Sequence, residues 1–583
     1  MNNAEEILKT TNLLFDEIES SFKIGAKKIE FNTLFSLMQD LYDLMENLDL
    51  LDTKSCSKLS ITRYIPLLNL LIKLDTKYGN EERLIVYHDH LKRAYTYAGR
   101  ISFEHFLIRY EWDSTDKVYE KRHEILRSYV YYLNYMCYHQ EFETIVCNLP
   151  SGYGKTRIEK LYEAFRFGLD PTGTFLSVCS NDGLVKSSSR SVIDIIKSEE
   201  YAEIFPKMNA KEDKKLFIKE TDGEWKLKYC HLNNSYIAQS RESNVVGVRA
   251  SHSIHIDDMY GDPAEALNMS LNRRMWDKYT SVWLERFVKG RNPQKVITGT
   301  LWSPFDLLAQ IIDQLKKENK FSPHPKFKFT QISEDGKHVI IQVPALDPDT
   351  GESTCPVLVS TEALIQKKNR ISNYLWQCNY QQNPIPPDGL EFEWKNLKTY
   401  EIKPINETGY TEAVLDPARK GHDYVSMPIF QKYGDDYALV DVLFERNAMS
   451  ELYEKICDKI IENHVVKFVI ENNTDTSLKS LIEKMLFERG YFACIIIEKY
   501  NTEKKESRIQ AEQGVIKRKI WFPAQELYPV NTPMGEFMEQ MTMFSFMMAN
   551  KFDDAIDSVA LFSKMIIQGG AKPQRAKAIR RPF

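Results

Sequence analysis

Apolar positions over residues 1 to about 100 recur at steps of three and four, as in FNTLFSLMQDLYDLMENLDLL. That spacing is the period of one buried helix face, and it predicts a helical region with no visible catalytic chemistry. From about 140 to 345 the period changes. Short apolar runs (ETIVCNL, GTFLSVC, HSIHIDD, QKVITGT) alternate with stretches of helical spacing, a pattern that predicts a parallel sheet with crossover helices. Residues 346–405 are rich in Pro, Asp and Gly (ALDPDTGESTCP, QQNPIPPDGLEF) and read as a connecting region. Beyond 406, strand-like TEAVLDPA, YALVDVLF and VKFVIENN surround the helical stretch MSELYEKICDKIIENH, which predicts a second α/β domain. The closing residues carry Lys564, Lys572, Arg575, Lys577, Arg580 and Arg581 with no acid, the composition of a disordered basic tail. The division expected is thus 1–100, 101–345, 346–405, 406–565 and 566–583.

Composition changes this picture little. A chain of 583 residues exceeds one hydrophobic core and calls for two or three domains. The formal charge of -5 is close to neutral, so any path for nucleic acid must be a local basic surface. Nine scattered cysteines contain no Cys-x-x-Cys pair, which argues against zinc or thiol redox chemistry. The opening MNNAEEILKTTNLLFDEIES lacks the basic start and apolar run of a signal peptide. The longest apolar run, near Tyr64 to Leu74, is about half of a bilayer span. A soluble, cytoplasmic protein without membrane contact is expected.

The first chemical motif is LPSGYGKT, residues 149–156, between the strand-like TIVCNL and the helical RIEKLYEAFRFGL. A phosphate cradle needs that context, because the N–H groups at a helix N-terminus face an anion. Gly152 and Gly154 let the backbone approach closely, with Ser151 and Tyr153 before and between them. Lys155 would reach the β and γ phosphates, and Thr156 would offer its hydroxyl to Mg²⁺. Leu149 stands where the full pattern has Gly, so the loop is a variant. About 100 residues later HSIHIDDMYGD ends an apolar strand on Asp257 and Asp258. Asp257 suits Mg²⁺ and Asp258 suits the base that polarises the attacking water. In KVITGTLWSPFDLL, a strand ending on Thr298, Gly299 and Thr300 precedes a helix starting near Pro304 and Asp306, and could couple hydrolysis to movement. His252 and His255, three apart on a strand, are expected on opposite faces and read as structural.

The second domain carries acids from three separate elements. Asp416 ends the strand TEAVL, Glu471 ends VKFVI, and Asp553, Asp554 and Asp557 open a helix in NKFDDAIDSVALF. Such carboxylates can converge on two Mg²⁺ or Mn²⁺ ions that activate water against a phosphodiester. Each acid alone also suits a turn or a helix start; the order strand, strand, helix is that of a ribonuclease-H-like fold. Asp423 and Asp441 rank below them. Lys504, Lys505 and Arg508, between these acids, are candidate contacts for DNA phosphates.

Taken in order, these blocks resemble the large terminases of tailed bacteriophages over about residues 100 to 565. LPSGYGKT looks like the family's phosphate loop, SVCSNDGLVKSSSRSVIDIIKSEEYAEIFP like its next strand, turn and helix, and GVRASHSIHIDDMYGD like its Gly-x-Arg loop and acidic strand. ITGTLWSPFDLL resembles the coupling motif, YLWQCNYQQNPIPPDGLEF the joining segment, and DDAIDSVA the closing nuclease motif. The resemblance implies an ASCE-type P-loop ATPase followed by a ribonuclease-H-like nuclease, using ATP, Mg²⁺ at the ATPase and two Mg²⁺ or Mn²⁺ ions at the nuclease. It implies double-stranded DNA, a portal protein and a small terminase subunit as partners. It also implies a homo-oligomeric ring on the prohead in the host cytoplasm, absent from the mature virion. Ser151 stands where many family loops carry Arg, which leaves Arg157 and Arg249 as candidate arginine fingers. A helicase-nuclease of repair or restriction is the alternative, and it would need a second ATPase-like domain with its own arginine motif.

Overall fold

The computed structural model describes residues 3–23, 31–78, 81–243, 249–288, 294–386, 389–403, 410–417, 424–471, 477–500, 504–529, 532–546 and 553–567. The chain forms two compact units, Met1–Ile385 and Pro386–Phe583. Among the described residues no helix is long and apolar enough to cross a membrane.

The first unit opens on helices Asn3–Lys23, Phe31–Leu51, Ile65–Tyr78 and Glu81–Ala98. Their apolar stripes bury Phe15, Met38, Leu41, Met45, Leu48 and Leu68 against one another. A ten-stranded sheet follows: β1 (Thr144–Asn148), β2 (Phe175–Cys179), β3 (Phe217–Glu220), β4 (Glu224–Leu227), β5 (Tyr236–Ser240), β6 (Ser253–Asp257), β7 (Lys295–Gly299), β8 (Phe321–Pro323), β9 (Thr330–Ser333) and β10 (His338–Gln342). Its order is β3-β4-β5-β2-β6-β7-β1-β10-β9-β8. The central strands from β5 to β10 are parallel. All five residues of β1, β2 and β6 are buried, as expected of strands covered on both faces. β7 is inserted between β1 and β6, with Thr298 level with Cys147 on one side and Asp257 on the other. That register brings the phosphate loop, the paired acids and the Thr-Gly-Thr segment to the carboxyl ends of adjacent strands, where α/β sheets bind ligands.

One expectation is overturned. His252 and His255 do not point apart. His252 precedes β6, so strand alternation does not govern it, and both rings meet the helix Lys155–Leu169: His252 Nδ1 lies 3.2 Å from Arg166 Nη2 and His255 Nδ1 2.8 Å from Glu163 Oε1. The apolar run HVIIQ also forms a strand that the sequence pattern does not separate, β10, which pairs with β1 along its whole length.

The second unit is built on a seven-stranded sheet of β11 (Lys398–Tyr400), β12 (Thr411–Leu415), β13 (Val425–Tyr433), β14 (Asp436–Glu445), β15 (Val465–Glu471), β16 (Ile495–Lys499) and β17 (Ile520–Pro523). The order is β11-β17-β14-β13-β12-β15-β16. β14, β13 and β12 form an antiparallel meander, while β15 and β16 continue parallel to β12. The helix Asp554–Phe562 is buried along its whole length. Phe562 stacks on Phe430 of β13 at 3.8 Å between ring centroids, and Ser558 Oγ meets Ser426 Oγ at 2.8 Å. A helix this completely enclosed can carry acids only where partners meet them.

Candidate phosphate-binding site and acidic centre

β1 ends at Asn148 and the helix begins at Lys155, leaving a six-residue loop between buried strand and buried helix. Gly152 sits at φ +81° and Gly154 at φ +106°, backbone conformations that L side chains rarely adopt. A Cβ on Gly154 would press to 3.1 Å from Val118 Cγ1 and 3.2 Å from Arg122 Nη1. Arg122 Nη1 also donates to the Gly152 carbonyl at 3.1 Å, a loop contact that nothing nearby in the sequence signals. Lys155 is buried, and its Nζ lies 3.3 Å from Thr300 Oγ1 and 3.5 Å from Asp258 Oδ1. Ser151, Thr156 and Arg157 are exposed, whereas the Tyr153 ring is buried. A cavity of about 610 Å³ opens beside the loop, bounded by Ser151, Asn181, Asp258, Tyr260, Thr300 and Trp302 among others.

Asp258 takes a left-handed φ of +42° at the end of β6, and its Oδ1 accepts from the Thr300 N–H at 3.3 Å. That turn aims its carboxyl at Lys155, while Asp257 stays buried in the sheet. Thr298 Oγ1 is 2.7 Å from Asp257 Oδ1 and 2.7 Å from Glu159 Oε2. One hydroxyl has one hydrogen, so it donates to one oxygen and must accept from the other. Burial, then the Glu159 and Asp258 carboxyls, push Asp257 up to about 7. Burial works against the Glu159 charge too, but Lys160, His255 and Thr298 hold that carboxyl below its ordinary value. Asp257 and Glu159 thus share one proton through Thr298, held on the Asp257 side, and Asp257 must give it up to hold a metal ion.

Glu159, Glu163 and His255 have the spacing of a metal cluster. Lys160 already supplies a cation, with Nζ 3.0 Å from Glu159 Oε1 and 3.1 Å from Glu163 Oε1, and Tyr236 donates to Glu163 Oε2 at 3.1 Å. Neither candidate arginine finger borders the cavity. Arg157 stands 5.9 Å over the Tyr110 ring, and Arg249 Nη1 donates to the Glu285 carbonyl at 2.7 Å.

In the second unit, β12 and β15 run parallel with Leu415 level with Ile470, so Asp416 and Glu471 emerge side by side at their ends. Asp416 Oδ2 is buried and has no hydrogen-bond partner among the described residues. Asp554 opens its helix and accepts from the Tyr424 N–H at 3.1 Å, with Asp553 just before it. Lys505 Nζ lies among them, 2.8 Å from Asp554 Oδ1, 3.2 Å from Asp553 Oδ1, 3.7 Å from Asp557 Oδ2 and 3.9 Å from Asp416 Oδ2. Arg508, also buried, grips both oxygens of Asp557 at 2.8 and 2.6 Å and reaches Glu471 Oε1 at 3.3 Å. Two of the cations expected to face DNA, Lys505 and Arg508, thus point into the acid cluster. Burial first, then Asp557 and the remaining acids, raise the Asp416 carboxyl well above its usual range despite Lys505. Asp557 is raised to about 6 by burial, against the pull of Arg508. An orphaned buried carboxylate oxygen among hard oxygen donors fits a divalent ion. Asp416, Glu471, Asp554 and Asp553 could hold it; Asp557 has both oxygens engaged by Arg508. Asp423 and the tail beyond residue 567 lie outside the described residues. Asp441 is held by Lys459 at 2.7 Å, apart from the cluster.

Residues 415–519 match the family model for the terminase of bacteriophage T7, ribonuclease H-like domain. The second unit carries a terminase ribonuclease-H-like domain. Asp416, Glu471, Lys505 and Arg508 fall inside the matched segment of this terminase domain, while Asp553, Asp554 and Asp557 follow it. The family is the one that the ordered motif blocks resemble. No curated protein sequence matches the chain. Among solved structures, the HK97 bacteriophage large terminase aligns at 12% identity over 76% of this chain and 94% of that one, with a TM-score of 0.37. The large terminase of the thermophilic bacteriophage D6E with ADP aligns at 9% identity over 77% and 99%, TM-score 0.26. The human cytomegalovirus terminase nuclease domain aligns at 13% identity over 30% and 94%, TM-score 0.23.

Proposed function

We propose that this chain is the large subunit of a tailed-phage terminase, which moves double-stranded DNA into a prohead with ATP and cuts concatemeric DNA with a metal-dependent nuclease. The observation that carries this reading is the terminase domain match over 415–519, coinciding with Asp416 and Glu471 at adjacent strand ends beside Asp554.

In the ATPase, Gly152 and Gly154 shape the loop so that backbone N–H groups from Ser151 to Lys155 face the phosphates. Lys155 neutralises phosphate charge from its buried position. Thr156 and Asp257 hold Mg²⁺, and Asp258 polarises the attacking water. Thr298, Gly299 and Thr300 sit between the acids and the loop, where they sense the state of the nucleotide. Arg157, Arg249 and now Arg122 are candidates for charge neutralisation in the transition state.

In the nuclease, Asp416, Glu471, Asp554 and Asp553 hold two Mg²⁺ or Mn²⁺ ions. Bound, those ions activate water and stabilise the leaving oxygen of the cut phosphodiester. Arg508 keeps Asp557 and Glu471 in place. Residues 101–345 serve as motor, 346–405 as connection and 406–565 as nuclease, with 1–100 as an appended helical module and 566–583 as a basic tail. The working form is a homo-oligomeric ring docked transiently on the portal in the host cytoplasm, with a small terminase subunit selecting the DNA. The helicase-nuclease alternative is disfavoured, because the second unit carries metal-type acids in place of another phosphate loop.

The test separates the two halves in the full chain. Lys155→Ala should abolish ATP hydrolysis and leave Mn²⁺-dependent plasmid cutting intact, and Asp416→Ala should do the reverse. Wild-type cutting by Asp416→Ala would sink the nuclease assignment.

A further inference from the structure

Four carboxylates contribute an oxygen within 4 Å of one ammonium, that of Lys505. Two of these contacts, to Asp554 at 2.8 Å and Asp553 at 3.2 Å, have hydrogen-bond length, and the other two are longer ion pairs. Lys505 is the first residue of the helix Lys505–Lys519, so its flexible four-carbon stem starts at the rim and reaches inward. The side chain keeps 35% exposure, against 2% for Arg508. One cation is therefore open to solvent and the other is fixed inside.

A divalent ion of Mg²⁺ size needs carboxylate oxygens at roughly 2.0–2.1 Å. An ammonium already 2.8 Å from Asp554 Oδ1 stands where that ion must go. Two cations sharing so small a space also repel. Entry of a metal therefore requires the ammonium to leave, and the stem can swing out through the exposed side. Out there the departing charge is next to the place where a nucleic-acid phosphate would lie.

We propose that Lys505 is a displaceable counter-cation of the nuclease centre: it neutralises the empty acid cluster, competes directly with the divalent ion for Asp554 and Asp553, and hands its charge to a DNA phosphate when the metal enters. Lys505 is on this account a positioning residue that sets the metal requirement. The inference rests on the nuclease reading of the acids. It has the consequence that phosphate and metal bind cooperatively, because each favours the outward position of one side chain.

The experiment measures Mn²⁺ binding to the full chain by titration calorimetry, with MnCl₂ alone and then with a non-cleavable phosphorothioate DNA duplex. Lys505→Met, which keeps the stem and removes the charge, should bind Mn²⁺ at least about tenfold more tightly than the wild type. Lys505→Arg, which keeps the charge, should stay near the wild type. The duplex should tighten Mn²⁺ binding to the wild type and have a smaller effect on Lys505→Met. Thermal unfolding of each variant checks that the fold is retained. Asp416→Ala is the control for the site itself and should lose the Mn²⁺ in both backgrounds. Equal or weaker Mn²⁺ binding by a folded Lys505→Met, with the Asp416→Ala control behaving as stated, overturns the counter-cation. Undiminished binding by Asp416→Ala would instead remove the metal site, and the inference with it.

Discussion

Thr298 Oγ1 lies 2.7 Å from Asp257 Oδ1, joining the strand inserted in the middle of the first sheet to the carboxyl proposed to hold Mg²⁺. The same hydroxyl touches Glu159 on the helix that starts at the phosphate loop. The acidic strand and the loop helix thus share a proton through this one hydroxyl.

Replacing Thr298 by Val keeps the shape and removes that bridge. Asp257 Oδ1 and Glu159 Oε2 then face each other without the hydroxyl between them, which costs about 1–3 kcal/mol of stability. The proton on Asp257 also loses its acceptor, so Asp257 is no longer held in one orientation. ATP turnover by Thr298→Val should fall roughly tenfold to a hundredfold, the worth of one hydrogen bond to a charged group. Thr298→Ser should recover most of it. Steady-state ATPase rates and melting temperatures of the two variants check this; wild-type turnover in Thr298→Val would remove the bridge from the mechanism.

How much of the fold and site can be read in the sequence depends on the range of the signals involved. Asp257, Asp416 and Glu471 are legible because each breaks an apolar strand at its carboxyl end, a local pattern. β13 is not separated by that pattern, because Pro428 sits inside it and proline ordinarily demotes a strand. Here Pro428 is level with Val442 in a central strand of the meander. Arg122 and Lys505 are illegible in their roles because their partners are distant along the chain, Gly152 for one and Asp554 for the other. A lysine on a polar helix predicts solvent or phosphate, and only the folded sheet and the helix Asp554–Phe562 place acids around it. His252 and His255 fail in the opposite way, since strand alternation does not extend to the residue before the strand begins.

Asp306 gives a pH dependence whose sign can be worked out. It is fully buried as the N-cap of the helix Leu307–Glu318, and accepts from the N–H groups of Trp302, Ser303 and Ala309 at 2.8, 3.0 and 2.9 Å. Burial nevertheless dominates and pushes its carboxyl up to about 6, from an ordinary 3.8. Between those values the unfolded chain releases a proton that the native state retains. The native state therefore binds more protons, and stability falls as pH rises through the window. The difference amounts to about 3 kcal/mol at pH above both values. Asp306→Asn keeps an acceptor for the cap and cannot ionise. Its urea midpoint should fall less between pH 4 and 6.5 than that of the wild type; identical slopes would show that the Asp306 carboxyl is not raised in the native state.

Arg508 and Asp557 form the most enclosed ion pair of the second unit among the described residues, with 2% and 0% side-chain exposure and two hydrogen bonds between them. A pair so placed is weak evidence for stability, because removing both charges from water costs nearly what their attraction returns. Losing one partner is different. Arg508→Met strands Asp557 and Glu471 as buried carboxylates beside Asp416, and should destabilise the chain by about 3–5 kcal/mol. Asp557→Leu added to it removes the stranded charge and should restore a large part of that loss, a coupling of about 0.5–3 kcal/mol. Calorimetric unfolding of the wild type, both single variants and the double variant closes the cycle. Strict additivity would mean that Arg508 and Asp557 act independently, and that Asp557 has a free oxygen to offer a metal after all.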